Sequence, residues 1–118
     1  MGLSRDQILT AEDGKVVTVP VPEWGGEVCV RMLPAAERSR FEAGCIKTRK
    51  GETVPDLADV DARFAALVIC DESGRRLFSD DDGRALGRTS AKAIARVVEA
   101  GKALNGMTAE SLKEAEGN

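Results

Sequence analysis

Lys15-Val-Val-Thr-Val-Pro-Val21, then Pro22-Glu-Trp-Gly-Gly26, then Glu27-Val-Cys-Val-Arg-Met-Leu33, is the stretch that decides the architecture. In the first run Val17, Val19 and Val21 alternate with Val16, Thr18 and Pro20. In the second, Val28, Val30 and Met32 alternate with Glu27, Cys29, Arg31 and Leu33. A period of two places each set on one face of a strand. The intervening loop contains Gly25 and Gly26, which supply the backbone geometry that a hairpin turn requires. Proline lacks the ladder N–H, so Pro20 and Pro22 put the end of the first strand on a sheet edge. An isolated hairpin is marginal in water, so residues 15–33 must pack on something else in the chain.

Outward from the hairpin, the sequence supplies helices. Before it, Ser4 followed by Gln7 reads as a capping box for a short helix through Ala11, broken by Asp13-Gly14. After it, Pro34 suits a first helical position for a segment to about Lys50. The apolar stripe of that segment is narrow, with Phe41, Cys45 and one of Ile46 or Thr48, so it is expected to be partly exposed. Leu57, Val60, Phe64, Leu67 and Val68 recur at helical spacing and predict a helix over about 56–70. Ala65, Ala66, Ile69 and Cys70 widen its apolar face, so that end is expected at the centre of the core. Asp71 to Gly74 reads as a turn, and Arg75 to Phe78 as a short extended piece. Ser79 caps a helix over about 79–86, with Asp80, Asp81 and Asp82 at its positive end. A last helix over about 90–104 carries Ala91, Ile94, Val97, Val98, Gly101 and Leu104 on one face. The expected fold is α+β and mostly α, with the hairpin packed on a small bundle of about four or five helices. Residues 1–106 form one domain and 107–118 a weakly apolar tail carrying Leu112.

The composition narrows the function classes. The chain has 118 residues, enough for one domain with a modest core. It contains no His and no Tyr, so acid–base chemistry near neutrality would fall to shifted carboxylates, Lys or Cys. A net charge of −3 and four aromatic side chains, Trp24, Phe41, Phe64 and Phe78, argue against a nucleic-acid partner. No apolar stretch of about 18 residues suggests a membrane span, and the N-terminus lacks the apolar run of a signal peptide. The basic run Lys47 to Lys50 reads as the dipole-complementing end of the helix over 34–50.

No catalytic, cofactor or metal site emerges. Cys29, Cys45 and Cys70 are far apart and lack zinc spacing, so they read as reduced, mostly buried thiols. An EF-hand loop starting at Asp71 would put Arg75 at a ligand position, and one starting at Asp80 ends on Ala91 where a Glu is needed. Gly25-Gly26 lacks the spacing of a phosphate loop. The chain therefore reads as a binding protein, not an enzyme. Trp24 at a hairpin tip has two readings: a binding anchor, since Trp is enriched at interface hot spots, or a lid folded over the small core. Phe41, Ile46, Met107 and Leu112 are the other candidate partner-binding residues.

Several segments, in order, resemble one family. They are Met1 to Leu9, Val21 to Arg31, Ala35 to Glu42, Cys70 to Asp82, Ala85 to Gly87 and Leu104 to Thr108. Together they are similar to the tail assembly chaperones of long-tailed bacteriophages, over nearly the whole chain. The resemblance implies a small, non-enzymatic protein of the bacterial host cytoplasm that is absent from the finished virion. It implies binding to the tape measure protein, which is kept soluble until tail tube subunits assemble around it. It further implies, in many such phages, a longer frameshifted product that contacts the tail tube protein. Self-association is expected on separate grounds, since several copies with modest interfaces can coat one long client and touch each other. No functional residue transfers by motif. Two alternatives remain at this point: a minor structural or head–tail connector protein of a phage, and a small adaptor that binds a host protein.

Overall fold

The two alternating runs pair as expected. In a computed structural model, which describes residues 2–107, β1 (Val16–Val21) lies antiparallel to β2 (Gly26–Arg31), with Val17 opposite Val30 and Val19 opposite Val28. A 3₁₀ turn at Pro22–Trp24 joins them, and Gly25 N–H closes it on Pro22 O at 3.0 Å. The third strand, β5 (Ile69–Cys70), pairs with β2, so the sheet order is β1-β2-β5 and the proline-bearing strand is at an edge.

Five α-helices accompany the sheet among the described residues: α1 (Arg5–Leu9), α2 (Ala35–Ala43), α3 (Val60–Val68), α4 (Gly83–Leu86) and α5 (Ala91–Leu104). The α+β fold read from the sequence is thus the observed one. The Ser4 capping box is present: Gln7 N–H donates to Ser4 Oγ at 3.2 Å and Ser4 N–H to Gln7 Oε1 at 2.8 Å. Ser90 Oγ likewise accepts from Ala93 N–H at 3.2 Å to start α5. At the start of the short α4 region, Ser79 N–H donates to Asp82 Oδ2 at 2.8 Å.

The core lies between the inner face of the hairpin and the two longer apolar helices. Val19, Val21 and Val30 meet Phe64, Ala65 and Val68 of α3 and Ile94, Val97 and Val98 of α5. The C-terminal end of α3 is its centre, as its widening apolar face predicts. Helices α3 and α5 approach closely because residue 101 has no side chain. A Cβ there would stand 2.8 Å from Phe64 Cε2 and 3.2 Å from Val68 Cγ2.

Two sequence expectations are corrected. The helix over about 34–50 stops at Ala43, and Ile46–Arg49 (β3) pairs antiparallel with Glu52–Pro55 (β4) as a second hairpin. Lys50 and Gly51 form its two-residue turn with φ of 52° and 80°. Positive φ at both central residues is the type I′ geometry that matches strand twist. Ile46 and Thr48 are β-branched and the segment has no apolar stripe to bury, so nothing holds it helical. Consequently Lys47, Arg49 and Lys50 stand on a strand and its turn and do not compensate a helix end. The helix over about 56–70 is also shorter: Leu57 precedes α3 and is 60% exposed, and Ile69 and Cys70 have joined the sheet. No helix among the described residues is long and apolar enough to cross a membrane.

Candidate partner-binding surfaces

The segment after β5 builds one wall of an apolar groove. Asp71 Oδ1 accepts from Ser73 N–H at 2.8 Å, Ser73 Oγ at 2.6 Å and Arg75 N–H at 3.0 Å, which folds the 71–76 turn. These bonds, led by that from the Ser73 side chain, hold the Asp71 carboxyl below its ordinary range. The chain then returns along the sheet, with Leu77 N–H donating to Ile69 O at 3.2 Å. Leu77 and Phe78 are thereby set beside Ile69.

Trp24 forms the facing wall. Its loop is pinned to α5 by a two-point ion pair, Arg96 Nε to Glu23 Oε1 at 2.8 Å and Nη2 to Oε2 at 3.1 Å. The Arg96 hydrogen bond lowers the Glu23 pKa. Val28 of β2 and Ala85, Leu86 and Thr89 around α4 complete a groove of about 340 Å³. The lining is almost wholly apolar, with Asp82 its one acidic residue among those described. Leu77 is 57% exposed there. Such a concave apolar surface suits the side chains of another polypeptide.

Both readings of Trp24 have a structural counterpart: the ring is half-buried against the core and also lines the groove. Phe41 packs edge-on against Phe64 with centroids 5.3 Å apart and faces a different pocket. Ile46 lies on the β3–β4 arm, 53% exposed, opposite Pro55. Met107 ends the described chain, partly buried against the core. These four do not share a cavity, and Leu112 lies outside the described residues. Leu77, Phe78 and Leu86 were not singled out in the sequence as binding residues. The extended piece Arg75 to Phe78, with two bulky apolar residues beside a turn, was the available signal.

The second pocket, about 430 Å³, mixes polar and apolar wall and is rich in arginine. Arg31, which bonds the lining residues Glu37 and Leu67, is only 8% exposed, and donates from Nε and Nη2 to Leu67 O at 3.0 and 2.8 Å. Cys29 and Cys70 stand opposite each other across β2 and β5 as free thiols. Burial pushes the Cys70 thiol up, which disfavours the thiolate form a nucleophile requires.

Comparison with known proteins adds a family and a fold. The model of the phage tail assembly chaperone family matches residues 5–118. The solved structure of the bacteriophage HK97 tail assembly chaperone superposes with a TM-score of 0.57 at 22% sequence identity, covering 84% of this chain and 94% of that one. No curated protein sequence matches.

Proposed function

The chain belongs to the phage tail assembly chaperone family, and from that premise we propose that it binds the tape measure protein, keeps it soluble and helps recruit tail tube subunits. It acts in the cytoplasm of the host cell, associates with further copies of itself on the client, and leaves before the virion is complete. A longer form of the chain would carry the contact with the tail tube protein. The observation that supports client binding most directly is the apolar groove between Trp24 and Leu77. A largely helical client presents apolar side chains at regular intervals, and a shallow groove receives a few at a time. Each such contact is modest and reversible, while several copies along one client supply avidity. That combination covers the client yet permits its release when tube subunits compete for it.

Co-expression with the tape measure protein of the same genome tests this reading. The client is expected to shift from the insoluble to the soluble fraction and to co-purify with several copies of the chain. A client that stays insoluble with both this chain and its longer form would overturn the proposal. Detection of the chain in purified virions at structural stoichiometry would instead make it a retained tail component.

A further inference from the structure

The arginine-rich pocket stands on the other side of the 76–82 segment from the apolar groove. That segment contributes Arg76 and Asp80 to the pocket, and Leu77, Phe78 and Asp82 to the groove. Glu37, Arg40, Phe41, Gly44, Arg63 and Leu67 complete the pocket lining.

Its charges do not cancel. Glu37 is taken by Arg31, whose Nη1 and Nη2 lie 3.1 and 2.8 Å from its two carboxylate oxygens. Asp80 is taken by Arg76, Nη2 to Oδ1 at 3.0 Å. Arg40 has no carboxylate partner among the described residues. Among the described residues Arg63 donates from Nη1 and Nη2 only to neutral carbonyls, Gly44 O at 3.0 Å and Asp56 O at 2.9 Å. Its Nε–H is buried with no acceptor among the described residues. Two uncompensated guanidinium groups thus share one concavity in a chain whose net charge is −3.

The geometry points to this pocket as a receptor for a carboxylate side chain, a Glu or Asp borne on a segment of a partner protein. The exposed Arg40 guanidinium, free among the described residues, presents a fork that matches the planar carboxylate, with the Arg63 charge beside it. Phe41 and Leu67 supply apolar wall for the methylene stem that carries it. A partner segment with an apolar residue beside an acidic one can fill the groove and the pocket together across the 76–82 divider. The inference requires a protein client but not the tape measure protein in particular.

The test titrates the full chain with a synthetic helical peptide bearing leucines and glutamates on one face, followed by NMR of the arginine Nε–Hε signals. The Arg40, Arg63 and Arg76 signals are expected to shift. The glutamine analogue of the peptide should leave them in place. Arg40→Gln, which removes an exposed group and leaves the fold intact, should weaken binding about tenfold, the loss of one charge-assisted contact. No shift with the glutamate peptide, or equal shifts with its glutamine analogue, overturns the assignment. A response confined to a phosphoserine analogue overturns it in favour of a phosphate ligand. If Glu110→Gln, Glu114→Gln and Glu116→Gln together move the same signals without any peptide, the carboxylate comes from this chain itself and the partner is refuted. Because the peptide is synthetic, these outcomes are independent of whether the tape measure protein co-purifies.

Discussion

Arg31 and Glu37 form a two-point ion pair at 3.1 and 2.8 Å, and the same guanidinium caps the carbonyl of Leu67. One side chain therefore ties β2, α2 and the end of α3 together. Helix α2 has no fully buried residue of its own. Its position rests on this pair, on Phe41 against Phe64, and on Arg38 Nη1 donating to Asn105 O at 3.2 Å.

Replacing Arg31 with alanine strands both the Glu37 carboxylate and the Leu67 carbonyl. A loss of about 2–3 kcal/mol is expected, given that Glu37 remains partly solvated. Urea unfolding followed by Trp24 fluorescence measures it. A change below about 0.5 kcal/mol would contradict the role assigned to the pair.

The same pair makes stability depend on pH in a stated direction. The Arg31 hydrogen bond lowers the Glu37 pKa in the folded chain. A lowered folded value means the contribution is complete above the ordinary glutamate pKa of about 4.3 and is lost as pH falls through the folded value. Glu37→Gln should flatten that part of the profile. Unfolding midpoints of both proteins, compared between neutral and acidic pH, test this.

Gly101→Ala inserts a methyl group 2.8 Å from the Phe64 ring. Two fully buried residues of α3 face it, so the helices must separate or Phe64 must leave its rotamer. A destabilisation of about 1–3 kcal/mol is expected, read as a lower Tm in calorimetry. An unchanged Tm would mean that α3 and α5 are packed less closely than described.

Leu77→Ser removes an exposed apolar side chain from the groove rim and should change stability by no more than about 0.5 kcal/mol. Client solubilisation should nonetheless fall. Equal stability with unimpaired solubilisation would move the client contact away from the groove.

The β3–β4 arm depends on its turn. Gly51→Ala places a Cβ in the left-handed region at φ of 80° and should cost about 1 kcal/mol locally. Hydrogen exchange of the amides of residues 46–55 should accelerate by about fivefold, while α5 amides stay protected.

Much of the fold was legible because its signals are local. Alternating Val17, Val19 and Val21 against Val28, Val30 and Met32 admits one facing register, since a one-residue slip would turn these apolar side chains outward. The Ser4–Gln7 and Ser90–Ala93 caps join residues three apart. The helical spacing of Ile94, Val97, Val98 and Gly101 needed no partner to be recognised. The β3–β4 arm was misread, although Lys50-Gly51 between short β-branched runs carried a turn signal. The narrow stripe around Phe41 was extended through residues that bury nothing.

The surfaces were not legible for a different reason. Trp24, Leu77 and Leu86 form one groove, and Arg40, Arg63 and Arg76 form one pocket, only after α3 and β5 carry distant segments together. Sequence alone determined the hairpin, the apolar face of α5, the apolar C-terminal end of α3 and the caps at Ser4, Ser79 and Ser90, because each depends on neighbours within a turn or a strand pair. Tertiary structure decided which apolar residues remain outside and which arginines keep an uncompensated charge. Those outcomes depend on which groups reach one another across the core, as Arg31 reaches Leu67 and Arg96 reaches Glu23, and no local period in the chain encodes such distances.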